Sequence, residues 1–341
     1  MTDTPVEAPT GLILMSEQDL NNFLPPDILD RMRAELSRLD IITEFDRATL
    51  DWESVFRQYD PEILYTAWST PFLPEDLSFE GKRFKYLCHL PGGVRGRVTK
   101  RMIEEGLIVT NWGNSISRVV AECGLLLILA CLRRVTHWSE SIHHEGGWRT
   151  GWEGQTSLFH RTVGLHGFGR ISQELARLLG PFDCRILALS PSVPDELMAE
   201  HGVERAADVD ALFGESEIVV ELAAMTERNR NTVKERHLRM LPETGAFVNV
   251  GRAGVVEEEG LLKVAQEGKL QIGLDVYHQE PLPLDSPLRS LRNVTLLPHI
   301  AGPTVDRMRD SGELALANLR SYKAGEPLEA RISPRQYDSM T

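Results

Sequence analysis

Residues 163–172 have the sequence VGLHGFGRIS, which combines an apolar run with two closely spaced glycines. The apolar residues 163–165 predict a strand, GFG predicts a tight turn, and residues 170–179 place apolar side chains at helical spacing. A strand, a glycine turn and a helix in this order are typical of a dinucleotide-binding site. Turns of this kind also occur without a ligand, so other residues have to identify the function.

The turn gives each of its residues a separate physical role. Gly167 permits the sharp turn, and Gly169 lets the backbone approach a pyrophosphate. Free N–H groups at the helix start attract that negative charge, and Arg170 adds a cation there. Ser172 stands where the motif has a third glycine for close packing of helix on strand. Because serine adds only a methylene and a hydroxyl, we expect Ser172 to be tolerated.

The choice of coenzyme is weakly specified. An acidic residue that holds the ribose hydroxyls of NAD is expected ~20 residues after the turn, at the end of the second strand. That strand ends RILALSPSVPDE, and Ser190 occupies the position. A serine hydroxyl neither binds a diol with two hydrogen bonds nor repels a 2′-phosphate, and no Arg or Lys follows closely to bind that phosphate. The sequence therefore favours NAD slightly, with NADP as the alternative.

Composition argues against several classes of partner. The chain has 341 residues, which predicts two domains, and 37 Lys and Arg against 50 Asp and Glu give a net charge of −13. Nucleic acids and anionic membranes are usually bound through basic patches, so a small molecule is the expected ligand. The four cysteines lack CxxC spacing, and the start MTDTPVEAPTG has no cationic segment followed by an apolar run. These features predict a cytoplasmic protein without a metal site.

Two series of short apolar strands predict the fold class. Amphipathic stretches, such as residues 25–39, lie between the strands, and this alternation indicates parallel sheets flanked by helices. The expected fold class is α/β, with two doubly wound parallel-sheet domains of Rossmann-like or flavodoxin-like type. The predicted strands are residues 11–15, 62–68, 84–90 and 107–112 in the first series, and in the second a strand from residue 162 followed by 185–190, 217–222, 246–251, 271–277 and 294–300.

The two series join near residues 114–122. Ser117 is a suitable N-cap for a long apolar helix, and Glu122 lies in its first turns. The run CGLLLILACL, residues 123–132, is far shorter than the ~20 residues of a membrane span, so it predicts a helix buried on all sides. The Gly- and Trp-rich residues 143–161 predict a loop that leads into the second series.

Three later segments each place a polar side chain beyond the end of a strand, namely Arg252, Glu280 and His299. In open α/β sheets this is the edge at which ligands bind. A fixed arginine suits a carboxylate because its guanidinium donates two parallel hydrogen bonds. A histidine can protonate a carbonyl oxygen as hydride arrives, and a neighbouring glutamate stabilises the imidazolium and holds one tautomer. Each residue alone has a more common structural explanation. Only the occurrence of all three after strand ends indicates a catalytic site.

The sequence around these residues resembles the D-isomer-specific 2-hydroxyacid dehydrogenase family, which includes phosphoglycerate dehydrogenases and glyoxylate or hydroxypyruvate reductases. The matching strings are N-x-x-R-x-G at residues 249–254, L-D-V-Y-x-x-E-P at 274–281 and P-H-I-A-G at 298–302. The resemblance covers roughly residues 60–320. It implies that the arginine binds substrate carboxylate and carbonyl, that the glutamate supports the histidine, and that the histidine is the acid/base.

The resemblance also implies how the coenzyme is held. Asp275 would face the nicotinamide carboxamide, and the cofactor would be NAD, with NADP as the alternative. The implied cofactor-binding residues besides Asp275 are Gly167, Gly169, Arg170, Ile171, Ser190, Leu222, Ala223, Val250 and Gly302.

The implied domain organisation is an insertion. Residues 1–116 and 303–341 would form the substrate-binding domain, and residues 117–302 would form the dinucleotide-binding Rossmann domain, with a cleft between the two. Two chains would associate through the dinucleotide-binding domain as a homodimer.

The first domain contains a further resemblance at LPGGVRGR, residues 90–97. In the family, a glycine-rich loop here binds the substrate carboxylate through backbone N–H groups, which correspond to Gly93 and Val94. Arg95 and Arg97 depart from the family pattern. They either favour a second negative group on the substrate or are solvated.

The sequence thus predicts an NAD(P)-dependent oxidoreductase that interconverts a 2-keto acid and a D-2-hydroxy acid and binds neither nucleic acid nor membrane. An alternative from another class is a non-catalytic dinucleotide sensor, because corepressors of the C-terminal-binding-protein type resemble the same family and keep the same three polar residues. Formate oxidation is a third possibility, but that chemistry would not need a protonating histidine paired with a glutamate.

Overall fold

The computed structural model describes residues 8–151 and 154–339. The first seven residues, within the start MTDTPVEAPTG, and Trp152 and Glu153 of the predicted loop lie outside the described residues. The chain divides into two compact units, one formed by Met1–Ile116 with Thr304–Thr341 and the other by Ser117–Pro303. Each unit is built on one parallel sheet, which confirms the predicted α/β class with two parallel-sheet domains.

The elements alternate between strand and helix along most of the chain. The strands are β1 (Thr10–Leu14), β2 (Arg38–Ile42), β3 (Ile63–Thr66), β4 (Tyr86–His89), β5 (Ile108–Thr110), β6 (Thr162–His166), β7 (Arg185–Leu189), β8 (Val203–Arg205), β9 (Ile218–Glu221), β10 (Ala246–Asn249), β11 (Gln271–Leu274) and β12 (Val294–Leu296). The helices are α1 (Glu17–Phe23), α2 (Pro26–Glu35), α3 (Trp52–Tyr59), α4 (Lys100–Glu104), α5 (Ser117–Leu132), α6 (Val135–Glu145), α7 (Arg170–Leu179), α8 (Asp195–Glu200), α9 (Val209–Glu215), α10 (Glu235–Leu238), α11 (Glu258–Gln266), α12 (Arg309–Ala324) and α13 (Pro334–Ser339).

The first unit has the strand order β2-β1-β3-β4-β5, with all neighbours parallel. Its inner strands are continuous apolar runs because helices and loops cover both faces of a parallel sheet. Leu12 and Leu64, for example, have no exposed surface. The helix α12 packs against α1 and α2. The hydroxyl of Ser311 in α12 donates to the carbonyl of Leu90 at 2.6 Å, which ties this helix to the end of β4.

The second unit has the strand order β12-β11-β10-β9-β6-β7-β8, also parallel. The chain begins this sheet at β6, adds β7 and β8 on one side, and continues from β9 on the other. The carboxyl ends of the strands at such a reversal form the usual ligand site of an α/β sheet. The helix α5 packs on α7, β10 and β11. A Cβ built on Gly273 of β11 would lie 3.1 Å from Leu127, so the glycine lets α5 approach the sheet closely.

Two edge strands, β2 and β8, are missing from the sequence prediction. The amphipathic stretch 25–39 was expected between strands, but its helical part ends at Glu35 and β2 begins at Arg38. The second missing strand is β8, in which two of the three residues are exposed. An edge strand pairs on one side only and is less buried, so it does not need the apolar run by which the inner strands are recognised.

The predicted loop 143–161 is wrong at its beginning. Helix α6 continues to Glu145 and ends at Gly146, whose φ of +65° is the left-handed conformation that commonly ends a helix. The histidines at the end of α6 lack an apolar pattern, so only the following glycines gave a signal.

The long apolar helix also differs from its prediction. Ser117 is the first residue of α5 and not its N-cap. The helix is not buried on all sides, because Leu126 is 56% exposed and Glu122, one turn earlier on the same face, is exposed as well. Across residues 8–151 and 154–339, no helix has the length and apolar character needed to cross a membrane.

Candidate active site

The glycine turn after β6 has the geometry that its sequence predicts. Gly167 has a φ of +95°, a value that residues with a side chain rarely adopt. A Cβ at this position would lie 2.9 Å from the backbone of Ala223, so the turn needs glycine for space as well. Ser172 is buried, and its hydroxyl donates to the carbonyl of Gly167 at 2.9 Å. The serine therefore stabilises the turn instead of disturbing it.

The start of α7 is open to a ligand. The helix begins at Arg170, directly after Gly169, and within the described residues no side chain caps it. Gly169 is exposed, and a Cβ built there would meet no heavy atom within 4 Å. The first N–H groups of a helix have no partner inside the helix and attract anions. These residues therefore fit the pyrophosphate of a dinucleotide.

A buried polar pair, which the sequence analysis missed, lies next to this turn. His166 ends β6 and Glu221 ends the neighbouring β9, and Nδ1 lies 2.5 Å from Oε2. The other carboxylate oxygen accepts the N–H of Ala223 at 2.8 Å. Burial lowers the pKa of His166, but the charge and the hydrogen bond of Glu221 outweigh burial, so the pKa is raised. The sequence did contain a signal for this pair, because β6 and β9 are apolar strands that each end in a polar residue.

The loop after β7 is bound by an arginine from the neighbouring strand. Arg205, the last residue of β8, donates to the carbonyl of Ser190 at 2.8 Å, to the carbonyl of Val193 and to the carboxylate of Asp195. A basic residue is therefore close to Ser190 in space, although none follows it closely in the sequence. The cause is the parallel pairing of β7 with β8, which brings the end of β8 beside this loop.

His299 and Glu280 form a hydrogen-bonded pair, with 2.6 Å between Nδ1 and Oε2. Their side chains are 48% and 36% exposed, so a ligand can reach them. The second oxygen of Glu280 accepts the backbone N–H of Tyr277 at 2.9 Å, which fixes the carboxylate. Because Nδ1 faces the carboxylate, Nε2 is the ring nitrogen left to exchange a proton with a ligand.

Asp275 holds the segment that carries His299. One carboxylate oxygen accepts the N–H of Ile300 at 2.7 Å and the other accepts the N–H of Ala301 at 2.9 Å. Burial raises the pKa of Asp275, and these two hydrogen bonds oppose the shift. The φ of His299 is +54°, a left-handed value that needs such support in a residue other than glycine. The predicted contact between Asp275 and the nicotinamide remains a prediction.

Arg252 follows β10, and Asn249 at the end of that strand shapes its backbone. The buried Asn249 accepts the N–H of Gly251 at 3.0 Å and donates to the carbonyl of Arg252 at 3.3 Å. The Arg252 side chain is exposed, and Nη1 donates to the carbonyl of Gly251 at 2.8 Å. Surrounding protein atoms lower the pKa of Arg252, and the nearby charge of Glu280 opposes this shift. The guanidinium thus lies within electrostatic reach of the Glu280 carboxylate.

The other predicted coenzyme residues lie at the carboxyl edge of the second sheet. Their coenzyme contacts remain predictions, but the fold brings these distant parts of the sequence to one edge. They are Ile171 in the first turn of α7, Leu222 and Ala223 after β9, Val250 after β10, and Gly302 after the His299 segment.

In the first unit, the loop 90–97 follows β4. Gly93 is exposed, whereas Val94 is fully buried, and their contact with a carboxylate remains a prediction. Arg95 donates to two carbonyls of α13, at 3.2 and 2.6 Å, and Arg97 donates to two carbonyls of the loop after β3. Both guanidinium groups are bound by the protein's own backbone, but Arg95 is exposed and Arg97 is partly exposed, so both alternatives stay predictions.

The described residues contain no group of three or more His, Cys, Asp or Glu side chains that could hold a metal ion. The four cysteines are free thiols. Burial raises the pKa of Cys88 to about 11 and that of Cys131 to about 12, so these two thiols stay protonated and unreactive at neutral pH.

Comparison with known proteins identifies the family. Residues 125–301 match the model of the NAD binding domain of D-isomer specific 2-hydroxyacid dehydrogenases. The chain is 33% identical to a glyoxylate reductase of Korarchaeum cryptofilum over 232 residues, which are 67% of this chain and 69% of that protein. It is 29% identical to glyoxylate/hydroxypyruvate reductase B of Pectobacterium carotovorum over 318 residues, which are 90% of this chain and 96% of that protein.

Solved structures show the same fold. The D-isomer specific 2-hydroxyacid dehydrogenase from Lactobacillus delbrueckii ssp. bulgaricus, in its NAD-complexed form, superposes with a TM-score of 0.76 at 18% identity and covers 95% of this chain and 100% of its own. The family model spans just over half of the chain. This chain therefore belongs to the D-isomer specific 2-hydroxyacid dehydrogenase family and is an NAD(P)-dependent oxidoreductase.

Proposed function

We propose that the chain reduces a 2-keto acid to a D-2-hydroxy acid with NADH or NADPH, and that Arg252, Glu280 and His299 carry out the chemistry. The observation that carries this proposal is the hydrogen bond of 2.6 Å between His299 and Glu280, at the sheet edge that also presents Arg252. The family supports the reaction class, since similar proteins are named glyoxylate reductase and glyoxylate/hydroxypyruvate reductase.

Each residue of the site has a distinct task in this proposal. Arg252 stays charged in a protein and binds the substrate carboxylate and carbonyl through its planar guanidinium. His299 donates a proton from Nε2 to the carbonyl oxygen. Glu280 holds the imidazole in one orientation and one tautomer, while the Tyr277 N–H fixes the carboxylate. Asp275 positions the His299 segment through two backbone hydrogen bonds.

The coenzyme supplies the hydride when it is bound. The turn residues Gly167 and Gly169 and the open start of α7 would hold its pyrophosphate. Ser190 would face the ribose. The remaining residues assigned to the coenzyme are Arg170, Ile171, Leu222, Ala223, Val250, Asp275 and Gly302.

The two units take separate roles in the proposal. Residues 117–302 form the dinucleotide-binding domain, which the NAD-binding family model over residues 125–301 supports. Residues 1–116 with 303–341 bind the substrate, and the exposed Gly93 at the carboxyl edge of the first sheet supports this role. We further propose a cytoplasmic homodimer. Its free thiols fit a reducing compartment.

A non-catalytic dinucleotide sensor is the less favoured function. The named relatives are reductases and dehydrogenases, and the chain keeps the acid/base pair in hydrogen-bonding geometry.

The experiment that tests the function follows NADH and NADPH absorbance with glyoxylate, hydroxypyruvate, pyruvate, phosphohydroxypyruvate and bulkier keto acids. We expect consumption of at least one coenzyme with at least one keto acid and formation of the D-hydroxy acid, identified by chiral chromatography. The absence of turnover with every pair, together with coenzyme binding in a fluorescence titration, would favour the sensor instead.

The coenzyme preference can be tested at Ser190. Replacing Ser190 by aspartate is expected to raise the preference for NADH over NADPH by roughly tenfold or more, which corresponds to about 1.4 kcal/mol. A carboxylate there binds the ribose diol and repels a 2′-phosphate. The measurement is the ratio of kcat/KM for the two coenzymes. Ser190→Asn is the matched control without the charge, and an unchanged ratio in the aspartate variant would place the ribose elsewhere.

A further inference from the structure

Three large aromatic side chains gather at the carboxyl edge of the first sheet. Trp68 and Phe72 lie in the loop after β3, and Trp112 follows β5. The rings of Trp68 and Trp112 meet edge to face, with 5.9 Å between their centroids. Trp68 is 40% exposed and Phe72 is 57% exposed. Exposed rings of this size offer a ligand a large apolar contact area.

This aromatic cluster borders the glycine-rich loop 90–97. A Cβ built on Gly92 would lie 2.4 Å from the ring of Trp112, so the absence of a side chain lets the loop backbone contact the indole. The ring of Phe72 lies 3.4 Å from the Cβ position of Gly96. Aromatic rings therefore contact the loop near both of its ends.

The segment that carries Trp68 is held in place by hydrogen bonds. The hydroxyl of Thr70 accepts the N–H of Ala67 at 2.9 Å and donates to the last carbonyl of β1 at 2.5 Å. Ser69 donates its N–H and its hydroxyl to the carboxylate of Asp19, at 3.0 and 2.6 Å. A ring on such a preorganised segment loses little conformational freedom when a ligand packs on it.

His89, Arg95 and Arg97 beside the loop are uncharged or bound by backbone carbonyls, whereas the exposed Arg47 places a further positive charge near Arg97. Arg97 donates to carbonyls of the loop after β3, and its guanidinium lies 4.7 Å from the centre of the Phe72 ring. Arg95 is bound by carbonyls of α13. Burial, assisted by the charge of Arg97, lowers the pKa of His89 to about 3, so this imidazole is neutral. The surface beside the loop therefore offers aromatic faces together with cations that, apart from Arg47, are already bound by backbone carbonyls.

We infer that the keto acid of this chain carries a large aromatic side chain, as in an arylpyruvate, and that this side chain packs on Trp68 and Phe72. The inference rests on the proposed function, because it takes the loop 90–97 as the binding site of the substrate carboxylate. In a 2-keto acid the side chain is bonded to the carbonyl carbon, which is itself bonded to the carboxylate. An aromatic side chain of a substrate held by this loop therefore reaches groups that border the loop. Glyoxylate carries only hydrogen at that position and gains nothing from the cluster.

The test compares kcat/KM for phenylpyruvate, hydroxypyruvate and glyoxylate in the full-length protein with its preferred coenzyme. A pocket gains about 10- to 200-fold from one extra methylene group, so a whole ring should favour phenylpyruvate over glyoxylate by roughly 100-fold or more. Trp68→Ala is expected to lower the ratio of the two kcat/KM values by about tenfold or more. Trp148→Ala removes an indole that is 76% exposed in the second unit and should leave the ratio unchanged.

The outcomes separate the inference from the function on which it rests. A wild-type preference for phenylpyruvate that falls selectively in Trp68→Ala supports the inference. A preference for glyoxylate or hydroxypyruvate overturns it and leaves the reductase intact. Equal losses for all substrates in a Trp68→Ala protein with wild-type melting temperature also overturn it. If Trp68→Ala does not fold, Phe72→Ala gives the same comparison on the more exposed ring. Turnover of no keto acid overturns the reductase function and the inference together.

Discussion

Replacing His299 by alanine is expected to lower kcat by ~10²–10⁴-fold, the usual contribution of a general acid or base. Without the imidazole, no side chain at this position gives a proton to the carbonyl oxygen as hydride arrives. The His299 side chain is not among the groups assigned to the coenzyme, so the Kd for NADH should stay near its wild-type value. Steady-state turnover of the best keto acid gives kcat, and a fluorescence titration gives the Kd.

The backbone at His299 calls for a second variant. Its φ of +54° lies in the left-handed region, where alanine is less favourable than asparagine. His299→Asn therefore keeps the backbone preference and removes only the titratable ring, and similar losses in both variants would assign the effect to the imidazole. His144→Ala changes an exposed histidine of α6 and should turn over like the wild type. Near-normal turnover in the His299 variants would remove this residue from the mechanism.

The inner strands could be predicted because burial on both faces demands continuous apolar residues. The predicted strand 246–251 corresponds to β10 (Ala246–Asn249), which lies in the middle of its sheet. The edge strands β2 and β8 escaped the same reasoning because they are only partly buried. The exposed Leu126 in α5 shows that an apolar sequence can also overpredict burial, since an apolar residue need not be buried.

The sequence predicted those residues of the candidate site that come directly after a strand and lie within a short characteristic sequence, namely Arg252, Glu280 and His299. The partners that fix these groups were harder to predict, because they depend on pairing between distant segments. Nothing near Asp275 in the sequence indicates that its carboxylate binds the backbone after His299. Arg205 likewise reaches Ser190 only through the neighbouring strand.

Breaking the buried pair beside the glycine turn is expected to cause the largest loss of stability. His166→Leu leaves the carboxylate of Glu221, which has no exposed surface, with the N–H of Ala223 as its remaining hydrogen-bond donor. Removing one partner of a buried pair typically costs about 3–5 kcal/mol, so we expect the free energy of unfolding to fall by about that amount. Glu221→Leu should cost less, because an unpaired imidazole can release its proton. Urea unfolding at pH 7 measures both changes.

The double variant His166→Leu with Glu221→Leu separates the charges from the packing. Replacing a buried ion pair by apolar residues of similar volume is often neutral or stabilising, so this variant should recover most of the stability that His166→Leu loses. The raised pKa of His166 means that the folded state holds the proton more tightly than the unfolded chain. Its contribution is fully present below the ordinary pKa of 6.5 and is lost as pH rises through the raised value. The wild type should lose stability over that rise and the double variant should not, whereas a double variant as unstable as His166→Leu would show that the two residues do not act as a pair.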